Sequence, residues 1–368
     1  MKKILCVLLA MLTLSGCSTT LKKYTMTSTS LGFDTVVSFT AYTENEATFH
    51  KYENQLKEEF LHYSKLFDKY ETYEGMNNIK TINDQAGKKP VKVDPVIIEL
   101  LKESRDYDEW TGHRFDVTMG AVLDIWHDYR ERGLVLNEQN KPASIPSMKE
   151  LKAAQKNTGW DHVKIDEENS TVYIDDANVS LDVGGNAKGF AIEKIARSLD
   201  KAGLKHAILN GGGNVRLIGS KPESDHWTVG IQIPNLTMNS TDSLISLKIP
   251  DSYSIVTSGD YQRYYMADGN VMHHIIDPTT LMPARHCRSV TVLSEDSGIA
   301  DTLSTALYTL SHKDGEALLK RLKEEHGIIA DAVWVYDERQ PKEDDSDSIS
   351  KLGYEIVVSE GLKDKIVK

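Results

Sequence analysis

The sequence predicts an α+β fold, two mixed or antiparallel sheets flanked by helices, and three observations carry that expectation. Residues 46–67 place Phe49, Tyr52, Leu56, Phe60, Tyr63 and Phe67 on one face of a long helix, and a stripe of that length must lie across a sheet to be buried. Residues 180–191, Ser-Leu-Asp-Val-Gly-Gly-Asn-Ala-Lys-Gly-Phe-Ala, read as a strand passing through a glycine turn into a helix. Val179, Leu181 and Val183 alternate, and Ile192, Ile195, Ala196 and Leu199 then recur at helical spacing until Gly203. Residues 227–233, 244–249 and 254–257 follow as strands expected to build a second sheet.

The first residues read as a targeting segment. Lys2 and Lys3 precede an apolar run over 4–14 that is too short to span a bilayer, and Leu14-Ser15-Gly16-Cys17 follows. That tetrapeptide resembles a bacterial lipobox, which implies cleavage after residue 16 and a lipid on Cys17, tethering the mature protein outside the cytoplasmic membrane. Residues 17–30, rich in Ser, Thr and Lys, read as a tether, and residues 31–368 as the folded body that it carries. Losing Lys2, Lys3 and no acid takes the formal charge from -12 to about -14. So acidic a chain is a poor partner for nucleic acid or anionic lipid. Cys6 leaves with the signal and Cys17 would be lipidated, so Cys287 remains alone, with no intramolecular disulfide and no cysteine metal cluster to form.

Along the body, residues 35–42 alternate as a strand before the long helix. Tyr70, Tyr73 and residues 77–83 read as a polar, aromatic loop. Asp94-Pro95 caps a helix ending at Thr111-Gly112, in keeping with Pro in the first turn and Gly past the last. His113 to Gly120 precede a helix carrying Val122, Leu123 and Trp126. Residues 147–157 form a further helix, and 163–165 with 172–174 a hairpin. A buried strand over 206–209 ends in Asn210-Gly211-Gly212-Gly213-Asn214, where so much lost backbone freedom implies close approach of another chain segment or a ligand.

Four places carry candidate chemistry. At the turn before the helix, Gly184 and Gly185 would let a phosphate or metal approach the backbone, the helix amides would face it, Lys188 adds positive charge and Asp182 the opposite one. This suits a nucleotide, although the spacing fits neither a Walker A loop nor a dinucleotide fingerprint. Asp116 is a candidate beside a simple capping role. Residues 258–265 and 271–278 form a hairpin with adjacent His273 and His274 pointing to opposite faces, so only one can line a given site. Asp301 and Thr305, one helical turn apart, offer two oxygen donors of the kind Mg²⁺ prefers, with helix-dipole stabilisation of Asp301 as the structural alternative.

Together, residues 113–120, 181–191, 210–219, 257–265, 273–283 and 300–307 resemble the ApbE-type FAD:protein FMN transferases, in that family's order and over most of the chain from Leu31 to about residue 310. The resemblance implies an ApbE-like, T-fold-like architecture, FAD as substrate, Mg²⁺ on its phosphates, and transfer of FMN to a Thr or Ser of an acceptor protein. It puts metal ligands at the Gly185 carbonyl, Asp301 and Thr305, and a general base at His274. FAD contacts fall on Leu31, Tyr70, Arg114, Phe115, Asp116, Asp182, Lys188 and Ile275, with Tyr73 as the alternative aromatic. The family often carries Met-Gly-Thr where this chain has Leu31-Gly32-Phe33-Asp34-Thr35. Two other readings share parts of the same residues: a metal-dependent FAD pyrophosphatase, and a flavin- or solute-binding lipoprotein without turnover.

Overall fold

The computed structural model describes residues 20–235 and 242–367, so the signal segment and Cys17 lie outside the described residues. Nine antiparallel strands form its central sheet. Their spatial order is Lys22–Ser28, Val37–Thr43, Ala207–Gly211, Asn214–Ile218, Ser254–Gly259, Ser289–Ser294, Ala330–Tyr336, Tyr354–Val358 and Ile349–Lys351. The α+β class holds, with the strands divided differently from expectation. Residues 254–259 do not join a second sheet but sit at the centre of the large one, and the hairpin Trp227–Gln232 with Ser243–Ile249 stands apart.

Each face of the sheet is covered by something different. On one face the helices Glu46–Leu66 and Ala187–Lys201 bury Phe49, Phe60, Ile192 and Ile195 against Phe39 and Leu209. Beside them the helix Ser297–Tyr308 packs Leu303 and Leu307 on Val290, Val292 and Trp334. On the other face Trp227, Leu244 and Leu247 of the separate hairpin cover Leu217, Leu293, Val333 and Ile356. Ser289–Ser294 is therefore buried at every position, as a strand with both faces covered must be.

The helices begin where side chains satisfy their free amides. Asn45 accepts from the Thr48 amide at 2.9 Å to start the long helix, and Asp296 Oδ1 accepts from the amides of Gly298 and Ile299 at 2.7 and 3.0 Å to start Ser297–Tyr308.

Three local expectations are corrected. Lys22–Ser28, read as part of a tether, pair in register with Val37–Thr43 as the edge strand; only Met26 in it is buried, so its sequence stays polar. Residues 179–183 are extended but form no strand: an isolated bridge joins Met119 to Ser180, the Leu181 amide donates to Asn83 Oδ1, and the Asp182 amide to the Val117 carbonyl. Within the segment read as a polar loop, Ile79–Asp84 is a helix closed at its start by a capping box between Asn78 and Thr81.

Candidate active site

The helix Ala187–Lys201 points its N-terminus at the start of Ser297–Tyr308. Asp301, 7% exposed, accepts the Gly189 amide on Oδ2 at 2.7 Å, while Oδ1 faces the Lys188 ammonium at 3.8 Å. Only glycine allows this approach, because a Cβ at position 189 would lie 2.4 Å from both the Asp301 Cβ and the Ser297 carbonyl oxygen. Burial raises the Asp301 pKa above the usual carboxylate range, and Lys188 and the Gly189 amide oppose that shift. Thr305 is half-buried one turn further along, and Gly185 lies under the Phe115 ring, whose Cε2 would be 2.8 Å from a Cβ there. The Asp301 carboxylate, the Thr305 hydroxyl and the Gly185 carbonyl are oxygen donors of the kind a hard cation takes, and a cation bound on Asp301 Oδ1 would share that oxygen with Lys188. Among the described residues no group of three or more His, Cys, Asp or Glu is arranged to hold a metal. A cation here would therefore complete its shell from phosphate oxygens and water.

Asp182 stands at the near end of the same turn. Its Oδ1 accepts the Gly184 amide at 2.9 Å and its Oδ2 pairs with Lys69 at 2.7 Å. Burial alone would raise its pKa, but Lys69 and the Gly184 amide more than offset it, and the carboxyl is held below its ordinary value. Lys69 also reaches Asp124 at 2.7 Å and lies 5.2 Å from the centre of the Tyr70 ring. Tyr70 is 51% exposed and sits 5.2 Å from the His127 ring, whose Nδ1 accepts from Arg130 at 2.9 Å. Tyr73, the alternative aromatic, donates its hydroxyl to Asp68 at 2.7 Å.

Arg130 also acts on His274 through its charge. Burial, the Arg263 guanidinium and, more weakly, Arg130 push the His274 pKa down to about 3, so His274 is neutral. His274 lies just beyond the hairpin Tyr264–Ala267 with Asn270–His273, where both its amide (3.2 Å) and its Nδ1 (3.3 Å) meet the Arg263 carbonyl. A carbonyl only accepts, so Nδ1 carries the proton and Nε2 keeps a lone pair. His273 is the opposite case. It is 2% exposed, donates Nε2–H to the Ala284 carbonyl at 2.7 Å and accepts the Ile275 amide on Nδ1 at 3.2 Å, so neither nitrogen is open to a substrate.

The remaining candidates divide. Arg114 bridges Asp277 at 3.4 Å and the Thr309 carbonyl at 3.3 Å, and Phe115 covers Gly185. Asp116 accepts the Thr118 amide and hydroxyl at 2.8 and 2.7 Å, and burial raises its pKa. Beside it the buried Asp108 binds His113 at 2.9 Å and is pushed up to about 6 by burial and by Asp116. Leu31 is buried in the core with Phe39, and Ile275 has its amide and its carbonyl engaged by His273 and Ala284. Lys69, His127 and Arg130 escaped the sequence reading, since Lys69 meets Asp182 across 113 positions with no local pattern to announce it.

The ApbE family profile matches residues 33–329. The FAD:protein FMN transferase of Treponema pallidum is 31% identical, the alignment covering 71% of each chain. That of Vibrio cholerae is 29% identical over 68% of this chain and 72% of the relative. Among solved structures, the ApbE protein of Thermotoga maritima superposes with a TM-score of 0.70 at 29% identity, covering 85% of this chain and 94% of that one. The Vibrio cholerae flavin transferase ApbE shares the fold at a TM-score of 0.68 and 22% identity, with 94% and 99% covered.

Proposed function

The chain belongs to the ApbE family, and from that premise we propose that it is an FAD:protein FMN transferase that uses Mg²⁺, places FMN on a Thr or Ser hydroxyl of an acceptor protein and releases AMP. The observation that carries the reading is the junction of two helix starts. The amide end of Ala187–Lys201, Lys188 and the buried Asp301 carboxylate converge there, with Asp182 on the turn that leads into the same helix; the reading adds His274, whose Nε2 is left open, as the base on the far side of a bound diphosphate.

Such a helix start receives a diphosphate through its amides and its dipole. Lys188 would neutralise phosphoryl oxygens, and Asp182, held ionised by Lys69, would accept a hydrogen bond from a ring or sugar donor of the dinucleotide. Mg²⁺ on Asp301, Thr305 and the Gly185 carbonyl would supply charge neutralisation for the departing AMP phosphate. An acceptor hydroxyl is a weak nucleophile, so His274 Nε2 takes its proton as the oxygen attacks the FMN phosphorus. The new P–O bond forms to the acceptor, the diphosphate P–O bond breaks, and its electron pair leaves with AMP. A neutral imidazole is the form able to do this, and a bound diphosphate counters the cations that hold its basicity down.

Cys17 as a lipidated first residue would put the enzyme and its acceptor on the outer side of the cytoplasmic membrane; no helix among the described residues is long and apolar enough to cross one. The direct test is incubation with FAD, Mg²⁺ and candidate extracytoplasmic acceptors. An acceptor mass increase equal to one FMN is expected. Free FMN and AMP with no labelled protein would identify a pyrophosphatase, and bound but unconverted FAD a binding protein.

A further inference from the structure

We propose that Arg263 is a further catalytic residue, its guanidinium gripping a non-bridging oxygen of the FMN phosphoryl group while His274 takes the acceptor's proton. This deepens the transferase reading and rests on it.

Arg263 lies on the short connection from the central strand Ser254–Gly259 to the strand Tyr264–Ala267. That connection is pinned at both ends. Upstream, the buried Asp260 carboxylate accepts Arg288 Nε and Nη2 at 2.8 and 3.1 Å, and Tyr261 beside it is buried. Downstream, Tyr264 pairs with His273 in the hairpin. The Arg263 carbonyl holds His274 by two contacts, so the base and the guanidinium are carried by one rigid piece of chain.

The guanidinium itself is exposed and nearly unspent. Its one hydrogen bond among the described residues is to the Asp34 carbonyl at 3.4 Å, and no carboxylate stands within ion-pair distance. Gly32, Phe33 and Asp34 reach that position through three successive left-handed residues, with φ of 92°, 55° and 47°. A neutral carbonyl at that distance is a weak partner for a cation that a phosphoryl oxygen would bind bidentately. During in-line attack, negative charge gathers on the non-bridging oxygens as the acceptor oxygen bonds to phosphorus and AMP departs. A planar donor whose backbone is pinned beside the base is within its own side chain's reach of that charge.

Arg263→Ala keeps the main-chain carbonyl, so His274 keeps its anchor and the substitution removes only the guanidinium. With FAD, Mg²⁺ and a labelled acceptor, it should lower kcat about 100-fold, with FAD affinity by flavin fluorescence changing less than about 3-fold. Arg263→Lys should recover about a tenth of the wild-type rate, a point charge replacing the fork. The cations that repel a proton from His274 are Arg263 and Arg130, the buried His273 beside it being neutral. Without Arg263 the imidazole becomes easier to protonate, and the acid limb of the pH–rate profile should move to higher pH. That shift follows from the lost charge in either role; a purely structural latch to Asp34 would instead lower the melting temperature and gain nothing from Arg263→Lys. An Arg263→Ala rate within about 3-fold of wild type, a rate loss that Arg263→Lys does not recover at all, or a loss of FAD affinity as large as the loss of rate would overturn the assignment. A wild-type protein that labels no acceptor sinks the transferase reading instead.

Discussion

The two halves of the proposed site are built differently. The half proposed to hold the metal, around Gly185, Lys188, Gly189 and Asp301, is made from two helix starts pressed together, with the carboxylate buried and its geometry set by a main-chain amide at 2.7 Å. The half proposed to move the proton, around His274 and Arg263, is made from a hairpin end and a loop, half-buried or exposed, and held by a few main-chain hydrogen bonds. The first half is set by packing and tolerates no added atom. The second is set by hydrogen bonds and should lose chemistry without losing fold.

Gly189→Ala probes that contrast hardest. The added methyl meets a carbonyl oxygen and a Cβ at 2.4 Å, neither of which can swing aside, so the two helices must part. A stability loss of about 3 kcal/mol is expected, together with loss of metal-dependent turnover. Denaturant unfolding and FMN transfer measured on the same sample check it, and a variant as stable and active as wild type would mean that the helix starts are not tightly fitted. His274→Ala should do the reverse, lowering the rate at least about 100-fold while leaving the melting temperature and FAD affinity close to wild type. Equal losses of FAD binding and of rate would recast His274 as a ligand holder.

The smallest expected effect is electrostatic and lies outside both halves, on the helix Pro95–Trp110. Asp108 is buried next to Asp116, with its pKa raised to about 6, and its Oδ1 has no hydrogen-bond partner. A carboxyl raised on folding contributes most below its unfolded value, and that contribution is lost as the pH rises through about 6. Asp108→Asn should therefore be neutral or mildly destabilising near pH 4. By pH 7.5 it should be about 1 kcal/mol more stable than wild type, part of the gain being offset by the altered contact with His113. Melting curves at the two pH values decide it, and a difference that does not change with pH would remove Asp108 as a titrating group.

The same contrast explains what could be read from the sequence. The long helix was legible because Phe49, Tyr52, Leu56 and Phe60 all go to one core, and the Asn210–Asn214 turn because its glycines do admit a close neighbour. A Cβ at Gly212 would fall 1.8 Å from the Thr35 hydroxyl. Residues 179–183 misled because alternation signals extended backbone and not sheet pairing; their partners are a side chain, Asn83, and scattered carbonyls. Lys22–Ser28 was hidden because an edge strand with one solvated face carries little apolar pattern. Asp182 and Asp301 stood out from their local settings, whereas Lys69, Arg130 and the spare guanidinium of Arg263 act on segments distant in sequence. No spacing within a single stretch announces them.

The central claim is that a diphosphate lies between Asp301 and His274. A crystal structure with FAD and Mn²⁺ in place of Mg²⁺, read by anomalous scattering, tests it most directly. The account predicts a Mn²⁺ peak touching the Asp301 carboxylate, the Thr305 hydroxyl and the Gly185 carbonyl, with the FMN phosphorus on the His274 side. A peak elsewhere, or a diphosphate beyond the reach of both side chains, would contradict it.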